Sequence, residues 1–153
     1  MSYGSGSFSG TEYYDTVTLG PGLTIENQSI GVANESTGFG DIDGILGIGP
    51  VDLTEKTVSN KKNVPTVTDD LSKAGAIHAN TLGIFYSPAN DKGGLGELTW
   101  GGVDTTKVVG SINYVPITKT HPASRFWGID QTVTYNGKII VPQSAGRSVI
   151  HEA

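Results

Sequence analysis

The stretch FGDIDGILGIG, residues 39–49, puts Asp41 and Asp43 two residues apart. On a strand both carboxylates would leave the same face, and paired carboxylates can run acid–base chemistry, glycoside hydrolysis included. Acid and base in such reactions normally flank the substrate from separate elements. The simpler reading has Asp43 bonding local backbone at a turn, with Ile45-Leu46-Gly47 as an apolar strand ending on a glycine that another backbone approaches closely. His78, His121 and His151 lie far apart, and none has a His or Cys at ligand spacing. They are expected at the surface. The chain contains no cysteine, so disulfides and thiolate metal sites are excluded, and neither metal nor cofactor is expected.

A second candidate is YGSGSFSG, residues 3–10, whose Gly-x-Gly invites comparison with a phosphate cradle. A dinucleotide fingerprint needs a strand before it and a helix after it, and a P-loop needs Gly-Lys-Ser/Thr. Here the strand-like TEYYDTVTL comes next, and the first lysine is Lys56. The stretch instead predicts a β-hairpin tip whose glycines supply positive φ.

The elements around these residues are mostly strands. TEYYDTVTL (11–19) and LTIENQSIGVA (23–33) flank a Gly-Pro-Gly break, and TLGIFYS (81–87) pairs with LGELTWGG (95–102) across PANDKGG. GSINYVPI (110–117) is expected as a further strand. QTVTY and KIIV are separated by Asn136-Gly137, the strongest short hairpin signal. One helix is expected, capped by Asn63, with Val64, Val67, Leu71 and Ala74 on one face, Pro65 near its first turn and Gly75 at C′. The fold class is mainly β with one or two short helices.

The chain has 153 residues, of which 36% are apolar, 16% are charged and 22 are glycine. These values describe a globular, turn-rich β protein. A net charge of −5, with Lys61-Lys62 the longest basic run, argues against nucleic acid as a partner. No apolar run is long enough to span a membrane, and no signal-peptide pattern opens the sequence. Asn27-Gln28-Ser29 and Asn34-Glu35-Ser36 would accept glycans in a secreted chain.

Four segments, in order, resemble the pepsin-like aspartic endopeptidases, most closely their secreted fungal branch. YGSGSFSG with GTEYYDTVTLG resembles the family's flap hairpin; DGILGIGP and the helix VPTVTDDLSKAG resemble the motif and helix on the C-terminal side of that hairpin. LTWGGVDTTKVVGSINYVPI resembles the passage between lobes, and FWGID with its hairpin the start of the C-terminal lobe. The likeness runs from Tyr3 to Gly146. It implies a partial pepsin-like fold: residues 1–104 from the flap-bearing N-terminal lobe, 105–146 the interlobe strand and the start of the second lobe, 147–153 a divergent tail. It also implies an extracellular acid protease acting on peptide or protein substrates. Tyr3 would be the flap tyrosine and Gly4, Ser5 and Gly6 its tip. Phe39, Ile42 and Ile45 would line the pocket before the scissile bond, and Phe126 and Gly128 would face the primed side.

The family's chemistry needs two Asp-Thr/Ser-Gly triplets whose aspartates share a proton, and this sequence contains neither. Asp15-Thr16 is followed by Val17, and Asp104-Thr105 by Thr106. The sequence therefore predicts no catalytic residue of its own and a fragment that is inactive by itself, with the second triplet expected directly after QSAG. Missing strands would leave unpaired edges, so marginal stability and edge-strand self-association are expected. An alternative is a non-catalytic relative that binds peptides or another protease chain. A carbohydrate-binding β-sandwich ranks last, because Trp100 and Trp127 fall in segments that the protease likeness accounts for.

Overall fold

A computed structural model describes residues 1–60, 62–142 and 148–150, the last three by their backbone. Lys61, residues 143–147, with Gly146 and Arg147 among them, and residues 151–153, with His151 among them, lie outside the described residues. The chain divides into two compact units. One comprises residues 1–11, 32–66 and 114–153, the other 12–31 and 67–113.

Strands β1 (Ser7–Gly20) and β2 (Leu23–Thr37) form a two-stranded sheet joined at Pro21-Gly22. A two-residue connection makes them antiparallel. Side chains tie the ladder along its length: Thr18 and Thr24 hydroxyls lie 3.0 Å apart, and Ser7 and Thr37 hydroxyls 3.2 Å apart. A Cβ on Gly10 would run into the Val32 carbonyl. Gly10→Ala should therefore cost about 1–3 kcal/mol through overpacking, read as a lower urea midpoint; an unchanged midpoint would contradict the close approach.

The second unit holds the buried cluster. Ile25, Val67, Leu71 and Ile77 are enclosed, with Leu19, Leu23 and Trp100 packed against them. Helix α1 (Val67–Lys73) supplies two of these. It ends as its glycine predicts: Gly75 has φ +72°, Ala76 N–H bonds to the Leu71 carbonyl at 3.0 Å, and Gly75 N–H bonds to that of Ser72 at 3.1 Å. That is a Schellman ending, which an L side chain at Gly75 would strain. The start differs from the expected Asn63 cap. Pro65 biases Val64 to extended backbone, Thr54 Oγ1 accepts the Val64 N–H at 2.7 Å, and the Asn63 amide turns to Asp52 at 3.3 Å.

On α1, burial raises the Asp70 carboxyl above its usual value, with Asp69 adding to the shift and Lys73 opposing it. A carboxyl raised by folding contributes stability that is fully present below its unfolded value of 3.8 and lost as pH rises through the folded value. Asp70→Asn should remove that loss. Thermal midpoints from pH 3 to 6 should fall less in the variant than in the parent chain, and parallel curves would overturn the assignment.

Strands β3 (Leu82–Phe85) and β4 (Glu97–Trp100) pair antiparallel, Leu82 opposite Trp100 and Phe85 opposite Glu97. In the first unit β5 (Trp127–Ile129) pairs with β8 (Ser148–Ile150). β6 (Val133–Tyr135) pairs with β7 (Lys138–Val141) around Asn136 (φ 46°) and Gly137 (φ 74°), the positive pair a type I′ turn requires.

Two expected strands are absent. Residues 110–117 carry no ladder, and neither do Ile45-Leu46-Gly47. Their composition suits an extended chain, but a strand also needs a partner edge, and no described segment pairs with either. Ile112, Tyr114, Val115 and Ile117 are accordingly exposed.

Candidate functional site

The site is built on the hairpin tip that precedes β1. Met1 and Phe8 exchange backbone hydrogen bonds at 2.9 and 3.0 Å, Ser2 bridges Ser7, and Tyr3 N–H donates to the Gly6 carbonyl at 2.7 Å. Gly4 and Ser5 form the exposed turn between them. Neither Gly4 nor Gly6 adopts positive φ, which corrects the expectation for this tip. Gly6 is needed for closeness instead, since a Cβ there would meet the Thr37 carbonyl and the Phe39 ring.

Those contacts gather three aromatic rings. Tyr3 is half-buried, edge-on to Phe39 with ring centroids 5.5 Å apart, and stacked on Phe8 at 6.4 Å. Burial raises the Tyr3 phenol above its ordinary value, so the hydroxyl stays protonated at neutral and acidic pH. Phe8 is not among the site residues expected from sequence. Its signal is nevertheless there: in a hairpin turning at Gly4-Ser5, residues 3 and 8 project from one face.

Ile42 and Ile45 are 53% and 36% exposed, on irregular backbone after Phe39. Phe126 is half-buried and Gly128 buried, following a short 3-10 turn over Ala123–Arg125. Phe126 N–H bonds to the Ala123 carbonyl at 3.0 Å, and the Gly128 carbonyl accepts from Thr118 N–H at 2.8 Å. A Cβ on Gly128 would strike Ala123. The buried Thr118 donates its hydroxyl to Asp130 at 2.9 Å. Trp127 Nε1–H reaches the Ile48 carbonyl at 3.0 Å and joins this group to the stretch carrying Phe39, Ile42 and Ile45. That bond spans 79 residues, and nothing in local sequence announces it.

The aspartates do other work. Asp104 caps a 3-10 turn over Thr105–Lys107, accepting Thr106 N–H at 2.9 Å and its hydroxyl at 2.7 Å. Those bonds hold its carboxyl below the usual range. Asp15 accepts the Thr16 N–H at 2.7 Å. Asp41 and Asp43 are exposed on irregular backbone rather than sharing a strand face. Among the described residues no bond runs from Asp43 to turn backbone, which corrects that expectation; the turn of this segment falls at Gly40-Asp41, ahead of Asp43.

Asn27 and Asn34 are exposed on β2, and His78 and His121 are exposed. Among the described residues no group of three or more His, Cys, Asp or Glu is arranged to hold a metal ion. No helix among them is long and apolar enough to cross a membrane.

The eukaryotic aspartyl protease family matches residues 1–151. Polyporopepsin of Irpex lacteus is 53% identical over 150 residues, which is 95% of this chain and 44% of the relative. Rhizopuspepsin-1 of Rhizopus niveus is 36% identical over 148 residues, 94% of this chain and 36% of the relative. The crystal structure of the aspartic proteinase from Irpex lacteus superposes with a TM-score of 0.88 at 52% identity, covering 95% of this chain and 44% of that one. The chain thus spans less than half the length of these relatives. A mainly β fold with one short α-helix among the described residues, a match along nearly the whole chain and a close structural counterpart agree: the chain belongs to the eukaryotic aspartyl protease family and carries part of the pepsin-like fold.

Proposed function

We propose that this chain is the lid-bearing portion of an acid endopeptidase acting outside the cell on peptide or protein substrates. Tyr3 is the lid residue, with Gly4, Ser5 and Gly6 as the mobile tip that lays its backbone along the substrate strand. Phe39, Ile42 and Ile45 form the apolar wall before the scissile bond, and Phe126 and Gly128 border the primed side. The division at residue 104, with 105–146 opening the second lobe and 147–153 as a tail, belongs to this reading. The observation that carries it is the Tyr3 ring held against Phe39 and Phe8 beneath a two-residue glycine–serine turn. Small residues let another backbone come close, and a lid that excludes water strengthens the electrostatics beneath it.

No Asp-Thr-Gly or Asp-Ser-Gly occurs in the sequence, so the 153 residues do not by themselves supply the water-activating dyad. The experiment has two arms. The purified chain is assayed at pH 3 to 5 on a denatured protein substrate with and without pepstatin, a transition-state-like inhibitor of the family. A chimera of the Irpex lacteus proteinase, with its matched segment replaced by this chain, is assayed alongside. The chain alone should not cleave, and the chimera should cleave in a pepstatin-sensitive way. Pepstatin-sensitive cleavage by the chain alone, or a folded chimera without activity, would overturn the reading.

A further inference from the structure

The two acceptor triplets on β2, Asn27-Gln28-Ser29 and Asn34-Glu35-Ser36, play no part in the proposed cleft. Both asparagines are exposed, so the folded chain has room for a glycan at either. Their surroundings differ. Gln28 is 5% exposed, as is Ile25 two residues before Asn27, and the Ser29 hydroxyl donates to Glu12 Oε1 at 2.7 Å. The first triplet is fastened to the fold at its middle residue and at its hydroxyl. In the second, Glu35 and Ser36 are exposed, as is every residue from Gly31 to Gly38. No hydrogen bond holds the Ser36 hydroxyl among the described residues.

A transferase acting on Asn-x-Ser must take hold of the amide and the hydroxyl together, so the triplet has to lift from its strand. Lifting costs more where a bonded hydroxyl and a buried neighbour must be released. We propose that Asn34 is the N-glycosylation site of this chain and that Asn27 remains mostly unmodified. The co-reactant is an oligosaccharide carried on a lipid pyrophosphate. The Asn34 amide nitrogen attacks C1 of its first sugar, and the N–C1 bond forms as the C1–O bond breaks. The lipid pyrophosphate leaves with the bonding pair, and one amide proton passes to the transferase.

Glycosylation at Asn34 rests on the extracellular reading only for the compartment in which the donor is met. The test therefore supplies that compartment: the full chain is expressed behind a secretory leader in a eukaryotic host. Peptide mapping by mass spectrometry after enzymatic glycan release locates the modified asparagine in the unaltered sequence. Intact masses are then compared for N27Q, N34Q, S29A and S36A. One glycan is expected on Asn34, lost in N34Q and S36A and retained in N27Q and S29A. A chain recovered from the host's secretory pathway or medium without glycan, a glycan mainly on Asn27, or equal occupancy of both would overturn the proposal. Because the leader delivers the chain whatever its natural route, none of these results bears on the protease reading.

Discussion

Leu71→Ala should abolish the protected core of the second unit. Among the described residues Leu71 is the one large side chain with no exposed surface, and the cluster around it has only three other buried members, Ile25, Val67 and Ile77. Truncating a buried leucine costs about 2–5 kcal/mol, because transfer energy is lost and a cavity remains. In a small cluster the neighbours cannot redistribute that cost, and even complete domains are stable by only about 5–15 kcal/mol. Hydrogen exchange is the direct measurement. The amides of Ala74, bonded to the Asp70 carbonyl, and Ala76, bonded to that of Leu71, belong to the end of α1 and report on it. They should be protected in the parent chain and exchange freely in the variant. Protection surviving in the variant would show that α1 does not depend on this cluster.

In the catalytically complete chimera, Tyr3→Ala should lower kcat/KM roughly 100-fold, or about 2.7 kcal/mol of transition-state stabilisation. The loss is a consequence of the proposed lid. Removing the ring deletes the stacking on Phe8 and the edge contact with Phe39, which together fix where the tip sits. A tip displaced by about an ångström leaves substrate poorly oriented and the cleft wet. Tyr3→Phe keeps both ring contacts and removes only the hydroxyl, so it should fall between the parent and Tyr3→Ala. If Tyr3→Ala were as active as the parent chimera, the lid assignment would fail. If Tyr3→Phe were as impaired as Tyr3→Ala, the hydroxyl rather than ring packing would be the working part.

What could be read from sequence was whatever a few adjacent residues decide. Asn136-Gly137 fixes a type I′ turn because both positions tolerate positive φ, and Gly75 fixes the end of α1 for a related reason. The Tyr3–Gly6 tip was legible as a hairpin, although its glycines serve close approach rather than unusual dihedrals. What failed depended on partners elsewhere in the chain. Gly110–Ile117 has strand composition, yet composition does not say whether a neighbouring edge exists. The start of α1 was misjudged because Thr54, ten residues upstream, captures the Val64 N–H. The bond from Trp127 to Ile48 illustrates the limit most plainly: it links two candidate walls of the site through a contact without local sequence signature.

The uncovered apolar surface has a cellular consequence. Tyr114, Val115, Ile139 and Ile140 each expose more than half their surface, while only five apolar side chains among the described residues are buried. Chaperones and degradative proteases sort newly made chains by such surface. Produced alone, this polypeptide should be retained and turned over by folding surveillance, and a partner segment covering residues 111–117 should raise its abundance without altering its synthesis.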